Sequence, residues 1–259
     1  MNKLKIGVGI MKEKYVKKFE RKCEKKLKFL DKYKGEGYRK LLLLNDEIAT
    51  AFNKNIDNET YNRIIEHPRR LLYHASQILK INNMLNKQDM INLQIVIMFH
   101  DIGKVVDYKK YKANMKKDHH IFSDIIIRTA MEYMDFDEKQ IEIISWCIYN
   151  HNDVSKTMEE CLAAPIIYQL LLDVDKLDEN DIYGVILKSI IKGTENSISK
   201  NNMINQKDLL EWINEFRLDK NYNRLLLEES KEYYIKMKSI ISMIISELEF
   251  NIDYNIFDL

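Results

Sequence analysis

Several histidines of this chain stand in an order, together with aspartates, that could hold metal ions. The residues in question are His67, the adjacent pair His100-Asp101, His119, His151 and Asp175. Imidazole nitrogens and carboxylate oxygens suit divalent Mn, Fe, Co, Ni and Zn, and they suit Mg when more oxygens take part. One aspartate between two ions can bridge them, and such a pair stabilises both the attacking and the leaving oxygen of a phosphoryl displacement. The residue types therefore point to metal-assisted chemistry at phosphorus.

The elements around His100 and Asp101 explain how two neighbouring side chains could face one site. The run Met90 to His100 is almost continuously apolar, which predicts a buried helix. A helix end can direct adjacent side chains into the same cleft, and we expect Gly103 to permit a sharp exit of the backbone. On spacing alone, however, a histidine at a helix end is more often a hydrogen-bonded structural residue than a ligand.

The composition predicts an all-α fold. The chain has 259 residues with 7 Gly and 2 Pro, too few for the many tight turns of a β-sandwich or barrel, and no run alternates with a period of two. Asp89, Asp118 and Asp137 are expected to cap helices that follow them. The predicted helices cover roughly 12–34, 38–52, a run from 57 or 58, 67–79, 90–100, 119–134, 138–150, 165–176, 181–192, 206–216 and 222–249.

Charge is distributed unevenly along the sequence, although the net charge is only +1. Residues 1–40 contain 15 Lys and Arg against 5 Asp and Glu, a local net charge of +10. Such a segment attracts nucleic acid, anionic lipid or phosphorylated ligands, yet its apolar residues also fit an ordinary amphipathic helix. Three cysteines lack any paired spacing, and no apolar run approaches the ~20 residues of a membrane span. We therefore expect a cytoplasmic, reduced protein without a membrane span.

Four segments in a fixed order carry a resemblance to a known family. They are 67–75 (HPRRLLYHA), 98–104 (MFHDIGK), 118–123 (DHHIFS) and 172–178 (LDVDKLD). The chain resembles the HD-domain superfamily of metal-dependent phosphohydrolases, whose hallmark is His, His-Asp and Asp on a helical core. The resemblance covers about 67–178 and implies an HD helical core with flanking N- and C-terminal helices.

The resemblance also implies a ligand set of one or two divalent ions. His67, His100, Asp101 and Asp175 would hold the first ion, and His119 and His151 would hold a second that Asp101 bridges. His119 is preferred over His120 because Ser123 follows it by four residues, as a small residue does in the family. His120 stays open as the alternative ligand.

The Ile-Gly-Lys after the pair places the sequence near the HDIG-type subgroup, which includes cyclic-dinucleotide phosphodiesterases and other nucleotide hydrolases. That similarity implies that Asp101 and Lys104 are catalytic and that Lys104 faces the substrate phosphate. Arg70 is a second candidate for phosphate binding, although either cation could simply pair with a carboxylate. The residues around His151 lack the further signatures of the HD-GYP subclass, and Lys104-Val105-Val106 replaces the Glu-Asp of the alarmone hydrolases.

Together these observations predict one structural domain made of three segments: a basic N-terminal helical extension (1–56), an HD core (57–192) and C-terminal helices packed on the core (193–259). The predicted function is a metal-dependent phosphohydrolase or phosphodiesterase acting on a nucleotide or related phosphate ester. Two alternatives stay open: a metal-dependent HD nuclease, favoured by the basic segment, and a catalytically silent helical regulatory module. The apolar spacing in 222–249 indicates either packing or a homodimer surface.

Overall fold

Every regular element that the structure describes is helical, which confirms the all-α prediction. The computed structural model describes residues 13–151, 165–178 and 219–253, so the predicted helices at 181–192 and 206–216 lie outside it. None of the described helices is long and apolar enough to cross a membrane. The helices are α1 Glu13–Leu27, α2 Gly37–Leu43, α3 Asn45–Phe52, α4 Asn58–Tyr61, α5 His67–Ile81, α6 Lys87–Phe99, α7 Met115–Tyr133, α8 Glu138–Asn150, α9 Pro165–Asp178 and α10 Glu228–Asp253.

Short helical turns connect several of these helices. A π-helical turn at Asn62–Glu66 leads into α5, and 3-10 turns occupy Lys28–Tyr33, Ile102–Val105, Tyr108–Tyr111 and Asp219–Arg224. The long predicted helix at 12–34 therefore ends in a 3-10 turn before Gly35 and Gly37, which have φ of +77° and +73°. The left-handed backbone at these positions explains why glycine follows the helix.

The capping predictions are confirmed at one helix and wrong at two. The carboxylate of Asp137 accepts hydrogen bonds from the backbone N–H groups of Lys139 and Gln140, so it caps α8 as expected. At α6 the cap is Asn86, whose side-chain oxygen accepts the backbone N–H of Asp89 at 2.9 Å. The Asn86 amide in turn donates to the Asp89 carboxylate at 2.6 Å, so the two polar residues cap the helix together and it begins earlier than predicted.

The third predicted cap, Asp118, lies inside the first turn of α7 instead of before it. Its Oδ2 accepts the backbone N–H of Asn114 at 2.6 Å, so the carboxylate reaches back to the residue where the helix begins. Asp118 is 1% exposed, which shows that this start of α7 is buried rather than solvated.

The structure divides the protein into two compact units along limits that differ from the three predicted segments, which stay a prediction. The first unit comprises 1–72 and 85–171, and α7 is central to it because α8, α1 and the 3-10 turn Ile102–Val105 all pack against it. Phe19 of α1 meets Phe122 of α7 edge-on, with ring centroids 4.7 Å apart. The apolar stripe of α1 is thus fully used in packing, with Phe19, Cys23 and Leu27 at 0% exposure.

The second unit comprises 73–84 and 172–259, and a buried carboxylate ties its described parts together. Asp173 of α9 accepts the backbone N–H groups of Leu226 and Leu227 at 2.8 and 2.9 Å, so it fixes the turn that leads into α10. Burial raises the pKa of Asp173, and these backbone bonds oppose the rise. Asp173 therefore has a structural role, although it lies two residues from the predicted ligand Asp175.

Gly103 allows the backbone after His100 and Asp101 to touch α7 directly. A Cβ at this position would lie closer than 3.0 Å to the carbonyl oxygen of His119 and 2.7 Å from the backbone nitrogen of Ser123. The Gly103 N–H donates to the Ser123 hydroxyl at 2.8 Å, and both groups are buried. Among the described residues only Gly35 and Gly37 are glycines with positive φ, so a left-handed backbone is not the reason for glycine at position 103. Glycine is required at position 103 because a larger residue would overlap the backbone of α7.

We expect Gly103→Ala to destabilise the protein by about 2–3 kcal/mol, because the new methyl group forces the 3-10 turn away from α7. Gly35→Ala is the matched control, since its Cβ meets nothing within 4 Å and costs only about 1–2 kcal/mol through the positive φ. Urea unfolding measures the free energy of unfolding of both variants and of the wild type. Equal losses in the two variants would contradict the proposed role of the close approach.

Candidate metal centre

Three helix ends and one helix turn deliver the candidate ligands within the first unit. His100 and Asp101 follow the last residue of α6, and the apolar character of that helix buries its end. His151 follows the last residue of α8 in the same way, whereas His119 lies in the second turn of α7. His67 is the first residue of α5. Side chains that are distant in sequence are thereby brought to one place.

The ligand atoms form two groups that share one aspartate. His67, His100 and Asp101 make the first, and Asp101, His119 and His151 make the second; within each group the ligand atoms lie within 4.8 Å of one another. His67 is half-buried and the other members are buried. Five of the six residues that the resemblance implies as ligands therefore lie in these two groups, and their role as metal ligands stays a prediction.

The two carboxylate oxygens of Asp101 face different partners. Oδ1 lies 3.2 Å from Nε2 of His119 and 3.8 Å from Nε2 of His151. Oδ2 lies 3.6 Å from Nε2 of His100 and forms an ion pair with Lys104. Asp101 thus presents one oxygen to each group, an arrangement that suits a carboxylate bridging two ions through both of its oxygens.

Backbone carbonyls fix the tautomers of three histidines. Nδ1 of His100, His119 and His151 lies 2.8, 2.9 and 2.6 Å from the carbonyl oxygens of Ile97, Met115 and Ile148. Because a carbonyl oxygen can only accept, each Nδ1 must carry a hydrogen. The lone pair of each neutral ring is then on Nε2, the atom that faces Asp101. Such carbonyl contacts are the usual way in which proteins orient metal-binding imidazoles.

The donor set and its spacing fit a divalent ion. Nε2 of His119 and Nε2 of His151 are 3.1 Å apart, and with both Nδ1 atoms protonated two lone pairs would face each other. Ligand atoms ~2.0–2.1 Å from one ion are ~2.9 Å apart at a right angle and ~3.4 Å apart at the tetrahedral angle. The observed separation lies between these values. A cation held by these two nitrogens and Asp101 Oδ1 would remove the repulsion.

The electrostatics of the centre keep Asp101 ionised. Burial raises the pKa of its carboxyl, but the neighbouring imidazoles of His100, His119 and His151 and the Lys104 ammonium act in the opposite direction. Their combined effect holds the pKa of Asp101 well below its usual range. The carboxylate is therefore an anionic ligand throughout the neutral pH range.

The other predicted site residues stand in different relations to these groups. Lys104 contacts Asp101 directly, and Arg70 is half-buried one turn after His67 on α5. His120 packs against Tyr149, with ring centroids 5.4 Å apart, and it is a member of neither group. Asp175 belongs to the second unit, so its role as a ligand stays a prediction.

Sequence analysis did not identify Tyr108, which supports the centre from the segment 107–117. Its hydroxyl donates to the carbonyl oxygen of Gly103 at 2.7 Å. Burial raises the pKa of Tyr108, as do neighbouring Asp101 and Asp118, so the phenol stays protonated and can donate. The structure anchors this segment through Tyr108 and buried Tyr111. The only signal in the sequence was the two tyrosines among lysines.

Comparison with known proteins gives one finding. The family model described as HD domain matches residues 64–190, within the predicted core 57–192 and just under half of the full length. All the residues of the two His/Asp groups lie inside the match. Searches of curated proteins and of solved structures gave no match.

We expect Asp101→Asn to lose most of the bound metal, because the amide has no negative charge and only one oxygen for two groups. Purified wild-type protein should carry a divalent transition metal in elemental analysis. Asp107→Asn is the matched control, since Asp107 is exposed and pairs only with Lys110 at 3.1 Å among the described residues. Unchanged metal content in Asp101→Asn, with a helical circular dichroism spectrum in all three proteins, would exclude Asp101 as a ligand.

A separate prediction concerns the number of ions. His119→Ala and His151→Ala should each lose about one metal equivalent and keep the other, because His67 and His100 belong to the other group. His120→Ala, which removes a neighbouring histidine outside both groups, should keep the wild-type content. Elemental analysis of the three variants after dialysis measures the difference. If the wild type binds one ion and each ligand variant loses that ion entirely, the centre is mononuclear.

Proposed function

Because residues 64–190 of this protein belong to the HD-domain family, we propose that it is a metal-dependent phosphohydrolase that acts on a nucleotide or a related phosphate ester. The observation that carries the proposal is the division of Asp101, whose Oδ1 faces His119 and His151 while Oδ2 faces His100 and Lys104. A bridging carboxylate among imidazoles suits hydrolysis of phosphate esters, since two ions can stabilise both reacting oxygens.

The ions would supply a water of lowered pKa and polarise the phosphoryl oxygen. The protein's own residues do the rest. Carbonyl groups of Ile97, Met115 and Ile148 hold the three imidazoles in one tautomer, so the ligand atoms need no reorganisation when a substrate arrives. Burial of His100 and Asp101 at 1% and 3% exposure excludes bulk water and strengthens every charge interaction there.

Lys104 is the residue that we assign to the substrate. Its ammonium pairs with Asp101 Oδ2 while its side chain keeps 16% exposure, so one end of it reaches the solvent side of the centre. A cation at this place can transfer its interaction from the carboxylate to a phosphate oxygen as negative charge develops on it. Arg70, on the turn after His67, is proposed as a second contact to phosphate.

The proposal is tested with a panel of phosphate monoesters, phosphodiesters and nucleotides, including bis-p-nitrophenyl phosphate. Metal-loaded wild-type protein should hydrolyse at least one class, and chelation should abolish the activity reversibly. A wild-type protein with bound metal and no turnover on any member of the panel would instead support the catalytically silent alternative.

We expect Lys104→Gln to lower kcat about 10²–10³-fold on the substrate that the panel identifies. The variant lacks the positive charge that stabilises the negative charge developing on the phosphate. Metal content should stay at the wild-type level. Lys109→Gln, which removes an exposed lysine from the neighbouring 3-10 turn, should leave kcat unchanged. Loss of metal from Lys104→Gln at normal turnover per ion would show that Lys104 only balances the charge of Asp101.

A further inference from the structure

The outward face of α1 carries an unusual density of positive charge. This 15-residue helix has seven basic residues against the acids Glu13, Glu20 and Glu24, and the only carboxylate partner within 4.0 Å among the described residues is Glu13 for Lys17, at 2.7 Å. Six of the seven line one open cleft, and we call these six the basic face: Lys14, Lys17, Lys18, Arg21, Lys22 and Lys25. The seventh, Lys26, donates a hydrogen bond to the carbonyl oxygen of Ala51 instead.

The positive charge continues from α1 onto the turn Tyr108–Tyr111. Lys18 and Lys22 lie over the ring of Tyr111, with their Nζ atoms 5.8 and 5.4 Å from its centroid. Burial lowers the pKa of Lys22, and nearby Lys110, which itself pairs with Asp107, lowers it further. The fold thus holds more cations close together than the neighbouring carboxylates neutralise, which costs stability unless an anion binds there.

The basic face borders the helix that carries a metal ligand. Tyr111, beneath Lys18 and Lys22, packs against Phe122 with ring centroids 5.6 Å apart. Phe122 lies one turn after His119 on α7 and also meets Phe19 of α1. All these residues belong to the first unit, so the surface and the metal centre share one packed scaffold.

The chemistry of the surface identifies its partner. A membrane-binding helix inserts an apolar face, but Phe19, Cys23 and Leu27 of α1 are buried in the core at 0% exposure. A mononucleotide can use only two or three cations, fewer than the face offers. Lys14, Lys18 and Lys22 follow one another every four residues, about 6 Å along the helix, so they form a regular row of positive charge that suits the repeated charges of a nucleic-acid backbone.

We propose that the basic face of α1, continued by Lys110, binds the phosphate backbone of a nucleic acid. The contacts are to phosphates, so binding is independent of base sequence and falls steeply with salt. This binding goes beyond the proposed hydrolysis and does not require it.

The test measures fluorescence anisotropy of labelled 20-nucleotide DNA and RNA single strands against the full-length protein, with strand integrity checked on a denaturing gel. The variant Lys18→Glu/Lys25→Glu changes two exposed positions of the face. The control variant, Lys87→Glu/Lys139→Glu, changes the net charge by the same amount at two exposed lysines away from the face. Both lysines lie in the first turn of a helix, α6 and α8, where the helix dipole favours glutamate. Circular dichroism confirms that both variants stay helical.

We expect the wild type and the Lys87→Glu/Lys139→Glu control to bind alike. The Lys18→Glu/Lys25→Glu variant should bind at least about tenfold more weakly at about 50 mM salt, and its dependence of log affinity on log salt should be less steep by about two. Equal weakening in both variants would mean that only net charge matters and would overturn the proposal. So would a wild type that binds vesicles containing phosphatidylserine but no oligonucleotide. Hydrolysis of bis-p-nitrophenyl phosphate by the wild type, measured in parallel, reports on the proposed function independently of binding.

Discussion

The contact between the backbone at Gly103 and the start of α7 is the constraint on which the candidate centre depends. His100 and Asp101 are adjacent in sequence, but His119 is separated from them by a turn, a lysine-rich segment and a helix start. The distance of 3.2 Å between Asp101 Oδ1 and His119 Nε2 requires that two backbones approach with no side chain between them. Ser123 completes the contact, because its small hydroxyl fits beside the glycine and accepts its N–H. The close packing of these two backbones therefore sets the positions of the ligand atoms.

The charges around this contact stabilise one buried anion, the carboxylate of Asp101. Moving an isolated carboxylate out of water costs several kcal/mol, so Asp101 is tolerable only among the imidazoles and the Lys104 ammonium. Without an ion, the Lys104 ammonium pairs directly with this carboxylate. The same residues that stabilise the fold locally therefore form a site whose most natural occupant is a cation.

The sequence predicted the helical class and the position of most helices because apolar periodicity is a local property. The two His/Asp groups were implied by the resemblance to the HD-domain family, and the structure brings five of the six implied residues together in the first unit. The start of α6 was predicted wrongly because Asn86 and Asp89 are both good capping residues, and only their mutual hydrogen bonds show that Asn86 takes the cap. The steric role of Gly103 and the bond from Tyr108 to it depend on residues up to 20 positions apart, which no local pattern reports. Asp175 stays a prediction, since it belongs to the second unit.

The bonds from histidine Nδ1 to backbone carbonyls have a consequence for the ends of α6 and α8. His100 and His151 each follow the last residue of their helix and donate to a carbonyl three residues earlier, so their imidazoles cap carbonyls that a helix end leaves without an intrahelical partner. A cation bound at Nε2 would make the Nδ1–H of the same ring a stronger hydrogen-bond donor. Occupancy of the centre and fraying of these two helix ends are therefore thermodynamically linked, and exchange of the amide hydrogens in the last turns of α6 and α8 would report how firmly the centre is filled.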